Sequence, residues 1–356
     1  MAAMRVLHLV AADRWTGAAA TALQAVEALR QVGVDAHLAF RPGRNLETRL
    51  AHHLWAHPIL EKERSLASLR RVLGKLTALA ASFDVLQVHL PHDHLLAWWV
   101  RRRLPRKPQL FRSVHHPGHL RRDPYHALLF RAVAGVGLAN TAMEWAARRL
   151  APRARLVPLP LALEPRFRPL PAGEVRVKLG IPPGAFVAGT VGKLDAGRGQ
   201  DLLLHALAAV PGCWGIVVGK GPWLERLQRL AAKLGVAERV VFPGYVEQGL
   251  ELLLSAMDVF VFPEPGSDWA HRAVAEAAAC GVPALAVDVP GIRDLVEPGR
   301  TGDLWPRADA AALAVLLRRW RENPALRREA GAEAARRAAR LTPEALAQAL
   351  LSLYGP

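Results

Sequence analysis

Residues Asp258–Asp288 read DVFVFPEPGSDWAHRAVAEAAACGVPALAVD. The opening DVFVF is an apolar run of strand length, and PEPGS is rich in turn formers. An alanine-rich helical stretch follows, and PALAVD is a second short apolar run after CGVP. Strand, turn, helix and strand in that order is one unit of a parallel α/β sheet. Asp268 falls in the turn and Glu276 eight residues later in the helix. Ser267 or Asp268 is a natural N-cap, and an acid in a first turn stabilises a helix without any function. A cap does not explain Glu276, whose helical neighbours Ala273, Ala277 and Cys280 are apolar. A carboxylate there is solvated, paired, or bonded to a ligand's hydroxyls.

The same alternation extends in both directions. Towards the N-terminus lie FVAGTVG, QDLLLHALAAV, WGIVVGKG, WLERLQRLAAKLG and RVVFPGYV. Before them stands a Pro-rich segment, VPLPLALEPRFRPLP (157–171), and before that a first series opens with RVLHLVA and AAATALQAVEALRQVG. The series continues through DAHLAF, a basic helical region around 61–82, DVLQVHL, HDHLLAWWVRRRL, QLFRSVHH, VGLAN and TAMEWAARRL. Two α/β halves joined by a Pro-rich linker predict two Rossmann-like domains whose parallel sheets face across a cleft. The expected boundaries are 1–165 and 166–340, followed by a helix at 341–356. Thr342 as N-cap and Pro343 at the first helical position begin that helix.

With 356 residues, 51% hydrophobic and 22% charged, the chain is a globular protein of two ordinary domains, not a disordered one. No apolar run reaches the eighteen or so residues of a membrane span. The apolar core of the N-terminus is too short for a secretion signal and reads as a first strand. Cys213 and Cys280 lack metal-ligand spacing and read as buried thiols of a reducing cytosol. Residues 1–175 hold 26 Lys and Arg against 12 Asp and Glu; residues 176–356 hold 21 against 19. Nearly all of the net charge of +16 therefore lies in the first half, where it favours an anionic partner. Nucleic acid is not favoured, because no recognition motif accompanies the charge.

Ligands of open α/β sheets bind at the carboxyl ends of the strands, so each strand-to-helix turn is a candidate. In ADRWTGAAATALQ (12–24), Thr16 and Gly17 open the first helix, whose N-terminus offers N–H groups to a phosphate. No G-x-G-x-x-G is present, so a dinucleotide cofactor is not supported. In TVGKLDAGRGQDLLL (190–204), Lys193 and Arg198 are suited to holding a diphosphate and neutralising its charge as it departs. RSVHHPG (112–118) places His115 and His116 at a strand end, with His89 at a similar position; no third ligand follows at metal spacing. VVFPGYVEQ (240–248) offers the backbone after Gly244 to the edge of a nucleobase.

Taken together, these stretches resemble the retaining glycosyltransferases of the GT-B fold, of the large family-4 type. The second half carries the likeness: the Lys193 and Arg198 turn, VVGKGP (217–222), VVFPGYV, EAAACGVPALA, PGIRD (290–294) and GRTGDLWP (299–306). TGAAATAL and SVHH match the first half more loosely. The resemblance implies a metal-independent hexosyltransferase that takes a UDP- or GDP-sugar as substrate and needs no other cofactor. It implies that Glu276 binds the ribose hydroxyls and Lys193 and Arg198 the diphosphate, with Gly192 and Val246 also binding the donor. Trp269 and Ala270 would line the donor pocket, and Thr16 and Gly17 would meet the distal phosphate or the acceptor. Asp268 and His115 would be the catalytic pair beside the sugar. The chain departs from the family in having Asp268 where the first Glu of E-x₇-E stands, and Trp269, Ala270 and His271 where small residues follow it. The C-terminal helix would cross back to the N-terminal domain.

The acceptor would then be met by the basic N-terminal half. EKERSLASLRRVLGKL (61–76) interleaves cations with leucines, and WWVRRRLPRKPQLFR (98–112) sets two tryptophans before a basic run. Such surfaces suit anionic lipid headgroups. The expected acceptor is a lipid-linked or phosphorylated cell-envelope saccharide, met in the cytoplasm or at the inner membrane face. The competing readings are a sugar-nucleotide epimerase of the same fold and a nucleotide-sugar-binding protein with weakened turnover.

Overall fold

The computed structural model describes residues 4–12, 16–43, 47–48, 50, 52–246, 248–264, 270–306 and 309–355. The chain divides into two compact units, Met1–Ala162 with Ser267–Ala270 and Leu341–Pro356, and Leu163–Gly266 with His271–Arg340. Asp268 and Trp269 lie outside the described residues.

The first unit is built on a parallel sheet in the order β3-β2-β1-β4-β5-β6-β7. Its strands are β1 (Arg5–Val10), β2 (Asp35–Phe40), β3 (Ala56–His57), β4 (Val85–Val88), β5 (Gln109–Val114), β6 (Gly135–Leu138) and β7 (Arg155–Pro158). Parallel strands are covered on both faces, so they read as unbroken apolar runs. One face of the sheet packs Leu7, Leu86 and Leu110 against Val72 and Leu76 of helix Leu66–Ala80 and against Leu96 and Val100 of helix Pro91–Arg103. The other face packs Val6, Leu38 and Phe111 against helix Gly17–Gln31 and against Leu346, Leu350 and Leu353 of helix Pro343–Tyr354. Thr342 caps that last helix by accepting from Ala345 N–H at 3.1 Å, and Pro343 is its first residue.

The second unit repeats the plan in the order β10-β9-β8-β11-β12-β13. Here β8 is Phe186–Val191, β9 Cys213–Val218, β10 Val240–Gly244, β11 Val259–Phe262, β12 Ala284–Val287 and β13 Gly302–Trp305. In each sheet the first strand is central, and the chain winds outwards first to one side and then to the other. The order therefore reverses between β1 and β4 in the first unit and between β8 and β11 in the second. Such reversals open a crevice at the carboxyl ends of the two strands.

Three details differ from the sequence reading. The basic region narrows to Leu66–Ala80, held by a capping box in which the Ser65 and Ser68 side chains bond reciprocally. The Pro-rich segment is not all linker, since Arg155–Pro158 forms the edge strand β7, where a proline costs no ladder bond. Helix Arg272–Ala279 begins later than a cap at Ser267 or Asp268 requires: its N-cap is His271. Both cysteines are free and buried, and burial pushes their thiols up to about 12. Among the described residues no helix is long and apolar enough to cross a membrane.

Candidate functional site

In the second unit the turns after β8 and β11 flank the reversal point. They meet directly: a Cβ on Gly199, whose φ is +72°, would lie 2.7 Å from Cβ of Pro263. Only glycine lets the Arg198 turn approach the Pro263 turn this closely. A second close approach fixes Lys193. Gly192 N–H donates to Val218 O and Leu194 N–H to Lys220 O, each at 3.0 Å. A Cβ on Gly221 would lie 2.0 Å from Leu194 O. The two glycines of VVGKGP thus allow the turns after β8 and β9 to pack backbone against backbone.

Lys193 is largely exposed, and its ammonium pairs with the Asp195 carboxylate. That hydrogen bond, with Ala196 N–H and the charges of Lys193 and Arg198, holds Asp195 below the usual carboxylate range. The turn therefore carries its own internal anion between its two cations. Asp195 was not singled out from the sequence, although it lies between the two residues that were. Gln200 braces the loop by donating to Lys193 O at 3.1 Å. A third cation stands one turn away: Lys220 Nζ lies 4.2 Å from the centre of the Tyr245 ring, beside half-buried Val246 after β10.

On the other side of the crevice the turn after β11 leads into helix Arg272–Ala279. His271 is a non-glycine residue at φ 53°, a strained conformation of the kind that clusters at ligand sites. Its side chain is buried, with Nε2–H donating to Pro290 O at 3.2 Å and its ring edge-on to Phe262. Ala270 precedes it, half-buried. Glu276 is half-buried on the helix, while Val274, Ala275 and Ala277 around it are buried. Burial works against the charge of Arg166, yet its hydrogen bond to Glu164, with Glu251 and Glu276 close by, keeps the guanidinium above its usual range. Arg166 bonds Glu164 and Glu251, and the charge of Glu276 is felt beside them. Arg166 lies in the segment read as a linker, so only the fold reveals this pairing.

In the first unit Thr16 caps helix Gly17–Gln31, accepting from Ala19 N–H at 3.3 Å. Gly17 is exposed, and a Cβ there would meet no described atom within 4 Å. His116 spends its Nδ1 on Gly118 N–H, so the His115–His116 pair does not converge. His115, just after β5, instead stacks on His89 just after β4, with ring centres 5.2 Å apart and planes 5° apart. Burial, then the Arg112 and His119 charges, push His115 down to about 3, so it acts at neutral pH as an uncharged hydrogen-bonding group. Asp93 ties the reversal point together, its carboxylate accepting from Ala11 N–H after β1 and from Leu90 N–H after β4. Burial raises that carboxyl to about 7. Among the described residues no group of three His, Cys, Asp or Glu side chains is placed to hold a metal ion.

Residues 172–337, within the second unit, match the family Glycosyl transferases group 1. The chain is 33% identical over 209 residues to a D-inositol 3-phosphate glycosyltransferase of Streptomyces bingchenggensis, covering 53% of this chain and 45% of that protein. It is 35% identical over 182 residues to a GDP-mannose-dependent alpha-(1-6)-phosphatidylinositol monomannoside mannosyltransferase of Mycolicibacterium smegmatis, covering 47% of each. The chain thus spans less than half the length of these curated relatives. Among solved structures, Anabaena HepE in complex with UDP superposes with a TM-score of 0.85 at 20% identity, over 99% of both chains. Sucrose-phosphate synthase from Thermosynechococcus elongatus gives 0.79 at 22% identity, over 99% of this chain and 98% of that one. The fold is GT-B, with two Rossmann-like domains, and the match to the group 1 glycosyl transferases lies within the second of them.

Proposed function

We propose that the chain is a retaining, metal-independent glycosyltransferase that takes a hexose from a nucleotide-diphosphate sugar. One observation carries the reading: the turn holding Lys193 and Arg198 and the turn leading to Glu276 flank the reversal point of one sheet and touch at Gly199 and Pro263. Two cations on one side suit a diphosphate, and a carboxylate on the other suits ribose hydroxyls. The group 1 match over these same residues supports it. So do the relatives: the Mycolicibacterium protein is named for GDP-mannose, and HepE was solved with UDP.

In this reading Lys193 and Arg198 bind the diphosphate, with Asp195 giving up its pairing as the ligand arrives, and they stabilise the growing charge on the leaving group. Val246 and the backbone after Gly244 meet the base. Asp268, Trp269 and Ala270 are assigned to the donor sugar, and neutral His115 is assigned a hydrogen bond to substrate. A thermal-shift panel of UDP, GDP, ADP and TDP with their sugars tests the donor site. A ligand at 100 times its Kd adds about 2.7 kcal/mol to stability. One nucleotide class is expected to raise Tm clearly, and a flat panel sinks the reading.

For the acceptor we infer a phosphorylated or lipid-linked saccharide, met by the basic first unit. The inositol-phosphate and phosphatidylinositol names of the relatives support that chemistry. Part of the basic run is neutralised internally, since Arg71 and Lys75 both pair with Glu61. What stays outward is aromatic and cationic: Arg103 lies over Trp99 and Arg149 over Trp145, rings that are 44% and 67% exposed. Amphipathic pairs of this kind suit an anionic lipid surface at the inner membrane face. Co-sedimentation with anionic vesicles at low salt should exceed that with neutral vesicles, and equal recovery would refute membrane docking.

A further inference from the structure

Four side chains from four separate parts of the first unit form one continuous hydrogen-bonded line. Tyr354 Oη lies 3.2 Å from His8 Nε2, His8 Nδ1 lies 3.0 Å from His89 Nε2, and His89 Nδ1 lies 3.0 Å from His115 Nε2. His8 is in β1, His89 follows β4, His115 follows β5, and Tyr354 ends helix Pro343–Tyr354. The first three residues of the line, from Tyr354 to His89, are buried, and only His115 is partly exposed. The far nitrogen of His115, Nδ1, makes no hydrogen bond among the described residues.

Every link of this line depends on the one before it. A neutral imidazole carries one N–H, so the partner of one ring nitrogen decides the role of the other. Burial holds His8 and His115 neutral, with pKa values pushed down to about 3, and holds His89 well below the usual range. Arg112 adds a positive charge beside His89 and His115 that works the same way, while the nearest buried acid, Asp93, is spent on Ala11 and Leu90 N–H. The line therefore runs on tautomers and not on charge, in one of two directions. If His8 Nε2 were the donor, the Tyr354 hydroxyl hydrogen would be a buried donor with no acceptor among the described residues, which structures avoid. If Tyr354 donates, His8 donates from Nδ1, then His89 from Nδ1, and His115 is left with its proton on the outward Nδ1.

We propose that Tyr354 is a positioning residue for His115: through two intervening imidazoles it fixes His115 as the Nδ1–H tautomer, so that the end of β5 offers a neutral N–H donor to the substrate. The substrate clause rests on the transferase reading above; the relay itself does not. Tyr354 is well suited to the task because its helix is pinned at the end that carries it. Arg155 donates to Ser352 O at 2.7 Å and to Gly355 O, and the Phe111 ring stands edge-on to the phenol at 5.0 Å.

The test is long-range ¹H–¹⁵N correlation NMR on protein labelled at histidine, at neutral pH. Single-site His→Gln variants assign the signals. In the wild type His8, His89 and His115 should all appear as Nδ1–H forms. Tyr354→Phe removes one oxygen and should move all three towards mixtures, lowering sugar transfer about tenfold while leaving the affinity for the free nucleotide unchanged. An Nε2–H form of His115 in the wild type, or unmoved tautomers in Tyr354→Phe, overturns the relay. The wild-type spectrum decides the tautomers even if the variant folds poorly. It also decides them if no nucleotide binds, an outcome that would refute the donor site alone.

Discussion

Acidifying the protein from about pH 7 to about pH 4 is expected to unfold the first unit. His8, His89, His94 and His115 are neutral in the fold because burial suppresses their protonation, with His8 and His115 pushed down to about 3. In the unfolded chain each takes up a proton near pH 6.5. Through this window the unfolded chain binds more protons than the folded one, so stability rises with pH and is lost as pH falls. Each such histidine contributes on the order of 1 kcal/mol per pH unit below about 6.5. Asp93 runs the other way. Its carboxyl is raised to about 7 in the fold, so between about 4 and 7 the folded chain holds a proton that the unfolded chain has released, and its term weakens the fold as pH rises. Four histidines outweigh one aspartate. Set against a typical total stability of roughly 5–15 kcal/mol, a fall of two pH units is enough. Far-UV circular dichroism and urea midpoints against pH, at fixed ionic strength, check this. A urea midpoint that does not change between about pH 7 and pH 5 contradicts it.

The same histidines mark where the sequence stops being legible. The α/β alternation could be read because parallel strands covered on both faces leave unbroken apolar runs such as VLHLV and VFVF. Short edge elements could not: β3 has two residues, and β7 hides in a proline-rich stretch. Lys193, Arg198 and Glu276 were visible because a charge in a glycine turn or an alanine helix breaks a local pattern. The line from His8 to His115 breaks none. Its members are 81 and 26 residues apart, and only the register β1–β4–β5 aligns them. Arg166 was missed because its carboxylate partner Glu251 lies 85 residues further on. The left-handed backbone at His271 has no signature in the sequence, because even histidine, which is enriched there among non-glycine residues, adopts it in only a minority of positions. What escapes the sequence is long-range pairing and strain; what it shows is periodicity and local exception.

Replacing Glu276 by Ala and Asp268 by Asn should separate binding from turnover at the donor site. Glu276 is a half-buried carboxylate on the helix after β11, and in the transferase reading it accepts from both ribose hydroxyls. Hydrogen bonds to a charged group are worth about 1.5–3 kcal/mol, so Glu276→Ala weakens the nucleotide about 10- to 100-fold. These hydrogen bonds are lost from ground state and transition state alike, so kcat changes little. By resemblance Asp268 stands where the first acid of E-x₇-E is expected; it lies outside the described residues, and the N-cap of helix Arg272–Ala279 is His271. In the transferase reading Asp268 acts at the sugar end of the donor. Asp268→Asn keeps size and hydrogen bonding while removing the charge. It should cut kcat about 10²-fold or more with nucleotide affinity unchanged. Isothermal titration with the nucleotide found by the thermal-shift panel, beside single-turnover transfer from its sugar, measures both quantities. The opposite assignment, with Asp268→Asn losing affinity and Glu276→Ala losing rate, would exchange the two roles. An Asp268→Asn variant with full turnover would mean that Asp268 takes no part in catalysis.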